Sequence, residues 1–208
     1  MSRDSILHRI RTAVGRSAGQ PPSDPPPVRI RVPRVPLEAR IASTIARVEA
    51  LAGKALRTSD PLGYVAQAIA GKSAVASNAP FLAECGITTL PGVRSGITDH
   101  EELRELCAVA DIGITSADYV LADTGSLVML SSQREARLIS LLPPAHLAVV
   151  RRESILTGLD ELLSILPTPA AVTSSMVLIT GPSRTADIEQ ILVRGVHGPG
   201  HITVVIAG

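Results

Sequence analysis

The sequence predicts an α/β protein: a mainly parallel sheet with helices on both faces. Three observations predict it. Short aliphatic runs without polar alternation, at 147–150, 176–180 and 202–207, read as strands buried on both sides. Segments of helical period lie between them, so strands and helices alternate along the chain. The chain is 208 residues long and 45% hydrophobic, enough for one domain that buries roughly 70% of its unfolded surface.

Taken in order, Ile6, Leu7, Ile10 and Val14 share one helical face, and Gly15 is a natural stop. Seven prolines follow within residues 21–36, an extended linker with few backbone donors. Leu37, Ile41, Ile45, Val48 and Ala52 then recur at helical spacing and end at Gly53. The compact domain is therefore expected over 37–208, with 1–36 a helix and basic Pro-rich linker. Residues 62–70 read as helix, 73–77 as a strand and 101–107 as helix. Residues 109–115 and 119–122 read as strands, and Asp123-Thr-Gly125 turns into 126–130. The strand at 147–150 is followed by a helix at 155–166. The strand at 176–180 is followed by a helix at 185–194 and the last strand, 202–207.

Composition narrows the function. The three aromatics, Tyr64, Phe81 and Tyr119, are too few for stacking platforms, so no nucleic-acid partner is expected. Net charge is +1, although residues 1–40 carry eight arginines against three acids. Such a tail reads as a solvated linker before it reads as a polyanion-binding arm. The longest apolar stretch, 138–150, is broken by Pro143-Pro144 and His146, short of the roughly 20 residues of a membrane span. No secretory h-region follows Ser2-Arg3-Asp4, and a cytoplasmic location is expected. Cys85 and Cys107 form no Cys-x-x-Cys, and His8, His100 and His201 lack partners at ligand spacing. No metal and no cofactor are expected.

Two tracts look like chemistry and fail on inspection. Gly71-Lys72-Ser73 lacks the glycine five residues earlier that a phosphate loop needs, since Ala66 stands there. Asp123-Thr124-Gly125-Ser126 looks like an aspartic-protease loop, but that chemistry needs two copies sharing a proton. The most informative tract is Gly181-Pro-Ser183-Arg184-Thr185. It leaves a strand, turns, and enters the expected helix with Ser183 or Thr185 as N-cap. Unpaired amides there, with the Arg184 guanidinium, would suit an anion. A plain capped helix with an exposed arginine is the simpler account of the tract alone. Gly195-Val-His197-Gly198-Pro199 punctuates the other end. Arg137 pairs with Asp123 or binds substrate, and the ion pair is the simpler account. His146 is expected to hydrogen-bond its loop.

At these motifs the chain resembles the lactate utilization protein C family (LutC/YkgG), built on the LUD domain. The matching stretches are Asp111-Ile-Gly-Ile-Thr-Ser-Ala-Asp-Tyr119, Ala122-Asp-Thr-Gly-Ser-Leu-Val128, Arg137-Leu-Ile-Ser-Leu-Leu-Pro143, His146, Gly181-Pro-Ser-Arg-Thr-Ala-Asp-Ile-Glu189 and Gly195-Val-His-Gly-Pro199. The family commonly has Glu where Asp123 stands. The resemblance implies a NagB/RpiA/CoA-transferase-like fold and a part in oxidising L-lactate to pyruvate beside iron–sulfur partner proteins. It does not make this subunit the dehydrogenase: the chain has neither a cluster's cysteines nor a dinucleotide glycine fingerprint.

Two functions of different class stay open. One is a non-redox subunit that binds a small carboxylate or phosphate, or organises the lactate-oxidising complex. The other is a free-standing enzyme on a small phosphorylated or thioester substrate. Self-association is compatible with either. The candidate ligand residues are Asp123, Thr124, Gly125, Arg137, Gly181, Ser183, Arg184, Thr185, His197 and Gly198. Asp123, Thr124 and Gly125 are expected to face the Ser183-Arg184 helix entrance and the Val196-His197-Gly198 loop across one cleft, with Ser183 and Arg184 delivered to the carboxyl edge of the sheet, and His197 included from the family motif.

Overall fold

The computed structural model describes residues 2–17, 19–20, 31–132, 134–185 and 193–208. Its first helix, α1 (Arg3–Ala13), is capped by the Ser2 hydroxyl, and none of its residues is buried. The Pro-rich tract at 21–30 lies outside the described residues.

The domain begins with α2 (Leu37–Ala50), which buries Ile41, Thr44 and Val48 on one face. Next come β1 (Lys54–Thr58) and α3 (Pro61–Ala68); Asp60 caps α3 and Pro61 occupies its first turn, where the missing N–H costs nothing. Then follow β2 (Ala74–Ala76), α4 (Pro80–Glu84), β3 (Val93–Arg94), α5 (His100–Val109) and β4 (Ile112–Thr115). These strands, with β7 (Ala145–Arg151) and β12 (His201–Ala207), form a six-stranded sheet of order β1-β12-β7-β4-β2-β3. Every pairing in it is parallel.

Both faces of that sheet are buried, as continuous aliphatic strands require. Leu147, Val149 and Val205 meet Val65, Leu82 and Ile87 beneath α3 and α4. Ala148, Val150, Val204 and Ile206 meet Ile41 and Val48 of α2, with Val120, Leu127 and Ile155, on the other face. Each fully buried aliphatic side chain stabilises the fold by roughly 1.5–3 kcal/mol before entropy is counted. Gly113 on β4 lets α6 (Arg137–Leu141) approach closely: a Cβ there would lie 1.9 Å from the Ile139 carbonyl oxygen.

A second sheet corrects part of the sequence reading. The strands β5 (Tyr119–Leu121), β6 (Ser126–Leu130), β8 (Ile155–Leu156) and β9 (Met176–Ile179) do not join the parallel sheet. They form a mixed sheet of order β8-β5-β6-β9, in which β6 is antiparallel to both neighbours. The reason is the short loop 122–125. Antiparallel strands close through a short turn, whereas parallel ones need a crossover of a dozen residues or more. The helix expected at 155–166 is likewise shortened to α7 (Leu159–Ile165), because Ile155 and Leu156 pair with β5. The helix expected at 185–194 is corrected at both ends. Arg184–Thr185 and Val193–Arg194 form a two-stranded antiparallel ladder, β10 and β11, and residues 186–192 lie outside the described set. Among the described residues no helix is long and apolar enough to cross a membrane.

Candidate functional site

The turn between β5 and β6 is tied down on three sides. The Asp123 N–H donates to the Thr157 carbonyl (3.1 Å), and the Gly125 N–H to that of Leu121 (2.8 Å). Gly125 has φ +71°, and a Cβ on it would stand 3.0 Å from Arg47 Cβ and the Val48 nitrogen of α2. Both the backbone angle and the close approach therefore demand glycine. Asp123 is exposed, its carboxylate against Gly158, where a Cβ would fall 2.5 Å from Oδ2. Thr124 Oγ1 lies 2.8 Å from Ser126 Oγ, which lies 2.6 Å from Thr180 Oγ1. This hydroxyl chain stitches the start of β6 to the end of β9.

The segment after β9 continues along the same helix. Gly181 (φ +83°) packs on Leu51, and the Arg184 guanidinium donates to the Leu51 carbonyl at the C-cap of α2. Helix C-terminal carbonyls lack intrahelical donors, so Arg184 satisfies an orphan acceptor. Thr185 pairs with Val193 across the ladder. The Ser183 N–H donates to the Pro199 carbonyl (2.9 Å), and the Gly195 N–H to that of Ser183 (3.0 Å). Gly198 lies against Ser183, and His197 is exposed.

The fold thus brings the 123–126 turn together with 180–184 beside the end of α2, and joins Ser183 to Gly198. It does not carry Ser183 and Arg184 to the carboxyl edge. The 195–200 loop enters β12 at its start, and the Gly200 N–H donates to the Pro144 carbonyl just before β7. This is the amino edge of the parallel sheet. Nor do Ser183 or Thr185 cap a helix there, since residues 184 and 185 are strand.

Arg137 stands apart from both groups. It opens α6, and its Nη1 donates to Ser175 Oγ (3.2 Å), beyond the opposite end of β9 from Thr180. It also borders a cavity of about 470 Å³ with His100, Leu103, Ser131 and Glu135.

Glu135 is the residue that sequence reasoning missed. It sits in a charged run, Arg134-Glu-Ala-Arg137, that reads as a solvated face, yet it is 7% exposed. Its Oε1 accepts from the Ser116 N–H (3.1 Å), and its own N–H donates to Ser132 Oγ (3.1 Å). Its Oε2 is shielded from solvent and has no hydrogen-bond partner. The Ser77 hydroxyl stands beside this carboxyl without closing a hydrogen bond of ordinary geometry. Burial pushes the Glu135 carboxyl up to about 8; the Asp118 charge adds to the rise, while Ser77 and the Ser116 amide oppose it. A second cavity of about 240 Å³, bordered by Phe81, Ser116, Asp118 and Arg134, also reaches Glu135. Ser77 directly follows β2 and Ser116 directly follows β4, so this carboxyl lies at the carboxyl edge, where open α/β sheets bind ligands.

His146 lies inside the sheet. It is 1% exposed, its Nε2 is 2.7 Å from Thr115 Oγ1 on β4, and burial lowers it to about 4. Its partner is therefore a strand hydroxyl and not the expected loop. Among the described residues no cluster of three or more His, Cys, Asp or Glu is gathered for a metal.

The LUD domain family model matches residues 41–207. Lactate utilization protein C of Halalkalibacterium halodurans is 34% identical over 151 residues, 69% of this chain and 66% of that protein. The protein of the same name from Bacillus subtilis is 42% identical over 94 residues, 43% of this chain and 39% of that protein. The chain thus spans less than two thirds of either relative's length. The crystal structure of a DUF162 family protein from Deinococcus radiodurans superposes with a TM-score of 0.64 at 17% identity, covering 84% of this chain and 100% of that one. That likeness supports the fold.

Proposed function

The chain belongs to the LUD domain family, and from that premise we propose that it serves lactate utilization as a component that binds a small carboxylate beside iron–sulfur partner proteins. The names of its relatives support the role. The observation that carries the ligand class is the 470 Å³ cavity at the carboxyl edge with Arg137 on its border. A guanidinium holds a carboxylate through two parallel N–H donors, and only one nitrogen of Arg137 is engaged, by Ser175. Two cysteines cannot supply the four thiolates of a cluster, which fits a reading in which partner proteins carry the iron–sulfur centres.

Calorimetric titration with L-lactate, pyruvate and acetate tests this reading. One of the three should bind at neutral pH, and Arg137→Ala should weaken it by roughly 10- to 150-fold, the worth of a charged hydrogen bond at about 1.5–3 kcal/mol. Equal affinity in the variant would remove Arg137 from the site.

A further inference from the structure

The apolar side of α1 is left uncovered by the fold. Ile6, Ile10 and Val14 recur every four residues and are 45%, 53% and 61% exposed, and none of the helix's 11 residues is buried. The Val14 N–H still donates to the Ile10 carbonyl (3.0 Å), so Val14 stays on the same face. At 3.6 residues per turn these three and Leu7 span an arc of about 100°. Arg9 and Arg11 stand on its two flanks, and Asp4 and His8 lie on the far side. Arg3 opens the helix with a stem long enough to reach past the stripe.

The charge of this region is as lopsided as its hydropathy. Residues 1–36 carry seven arginines against two acids, whereas 37–208 carry thirteen cations against seventeen acids. Net charge therefore draws α1 toward the domain, and the tether 15–36 holds the two at a roughly millimolar effective concentration. Yet the helix buries no residue against it. A second copy presents the same surface without the tether, so this chain is not what covers the stripe. Arg31 and Arg34, in the irregular stretch before α2, are exposed as well.

We infer that α1 docks in the plane of an anionic lipid surface, with Ile6, Ile10 and Val14 toward the acyl chains and the arginines of residues 1–36 among the headgroups. Its 11 residues rise about 16 Å, about half of a bilayer's hydrocarbon, so the helix lies along the surface instead of crossing it. Mobile negative headgroups meet arginines scattered along a Pro-rich tract without demanding one geometry, and aliphatic side chains gain by burial at the acyl boundary. A protein groove asks instead for a few large anchors in matched pockets, and α1 offers no aromatic side chain.

The test is co-sedimentation of the whole 208-residue chain with vesicles of phosphatidylcholine and phosphatidylglycerol mixed equally, and with phosphatidylcholine alone. The chain should bind the anionic vesicles at about 0.1 M salt. It should lose about tenfold or more in apparent affinity at about 1 M, where the Debye length falls from about 10 Å to about 3 Å. Phosphatidylcholine alone should bind it about tenfold more weakly or worse. Ile6→Asp combined with Ile10→Asp should abolish binding, and because neither side chain is buried the Tm should stay at the wild-type value. Arg9→Gln combined with Arg11→Gln keeps the stripe and should weaken binding to the anionic vesicles. Binding that survives the double aspartate variant would overturn the inference, as would equal binding to both vesicle types. No binding to anionic vesicles at low salt would overturn it and hand the stripe to a protein groove. A dimer in analytical ultracentrifugation that the double aspartate variant abolishes would overturn it in favour of a second copy.

Discussion

Replacing Glu135 with Gln should flatten the stability of the protein between pH 6.5 and 8. The folded carboxyl titrates near 8 against an ordinary value of 4.5, so the folded state holds a proton that the unfolded chain releases. Stability from this group is complete below 4.5 and is lost as pH rises toward 8, at about 1.4 kcal/mol per pH unit. His146 acts in the opposite sense. Burial lowers it to about 4 from 6.5, so its share is present above 6.5 and lost as pH falls toward 4. From pH 4.5 to 6.5 the two slopes oppose each other and largely cancel. From 6.5 to 8 the slope of Glu135 is no longer opposed by His146, a loss of about 2 kcal/mol in the wild type. Urea denaturation at pH 6.5, 7.25 and 8.0 reads this directly. With a slope of roughly 2 kcal/mol per molar, the midpoint should fall by about 1 M across the window. In Glu135→Gln it should stay level. A wild-type midpoint that does not move, or a variant that moves as much, would refute the assignment of a buried acid.

The close approach of α6 to β4 makes Gly113→Ala severe. Backbone, and not a flexible side-chain end, occupies the space its methyl would need. A loss of about 3 kcal/mol or more is expected, read as a large fall in Tm by differential scanning calorimetry. Arg184→Ala should cost about 0.5–1.5 kcal/mol in the same assay, because it frees the Leu51 carbonyl at the end of α2. Pyruvate titration of that variant decides its role: unchanged affinity fits the capping contact, whereas a tenfold loss at full stability would return Arg184 to the ligand site.

The parallel sheet was legible where burial is two-sided. Strands β7 and β12 show as aliphatic runs because helices or a second sheet cover each face, leaving no polar alternation. Strand β1 escaped notice for the opposite reason. It is the edge strand, and Lys54 and Arg57 interrupt the apolar pattern of its five residues. The strands β5, β6 and β9 were legible as strands but not as a separate sheet, since sheet membership is decided by the pairing that a loop permits. Glu135 was illegible altogether. Nothing in Arg134-Glu-Ala-Arg137 distinguishes a carboxylate on a solvated face from one turned under the ends of β2 and β4. Only the burial given by the fold does so.

The glycine-bounded motifs and the Glu135 cavities lie at different edges of the sheet, and this separates two meanings of a motif. The 195–200 loop holds backbone against backbone near the amino edge, Gly181 packs on the Leu51 side chain, and Gly125 seats its turn on α2. Arg184 is used in the same construction, on the carbonyl at which α2 ends. Such positions tolerate little change because a Cβ or a lost donor disturbs several elements at once, and this makes them recognisable in sequence. A ligand pocket has the reverse signature. It needs polar side chains that border open space, and Glu135 borders two cavities at the carboxyl edge. The residues that identify the family therefore need not be those that hold its ligand. Of the ten nominated residues, Arg137 alone borders the Glu135 cavities.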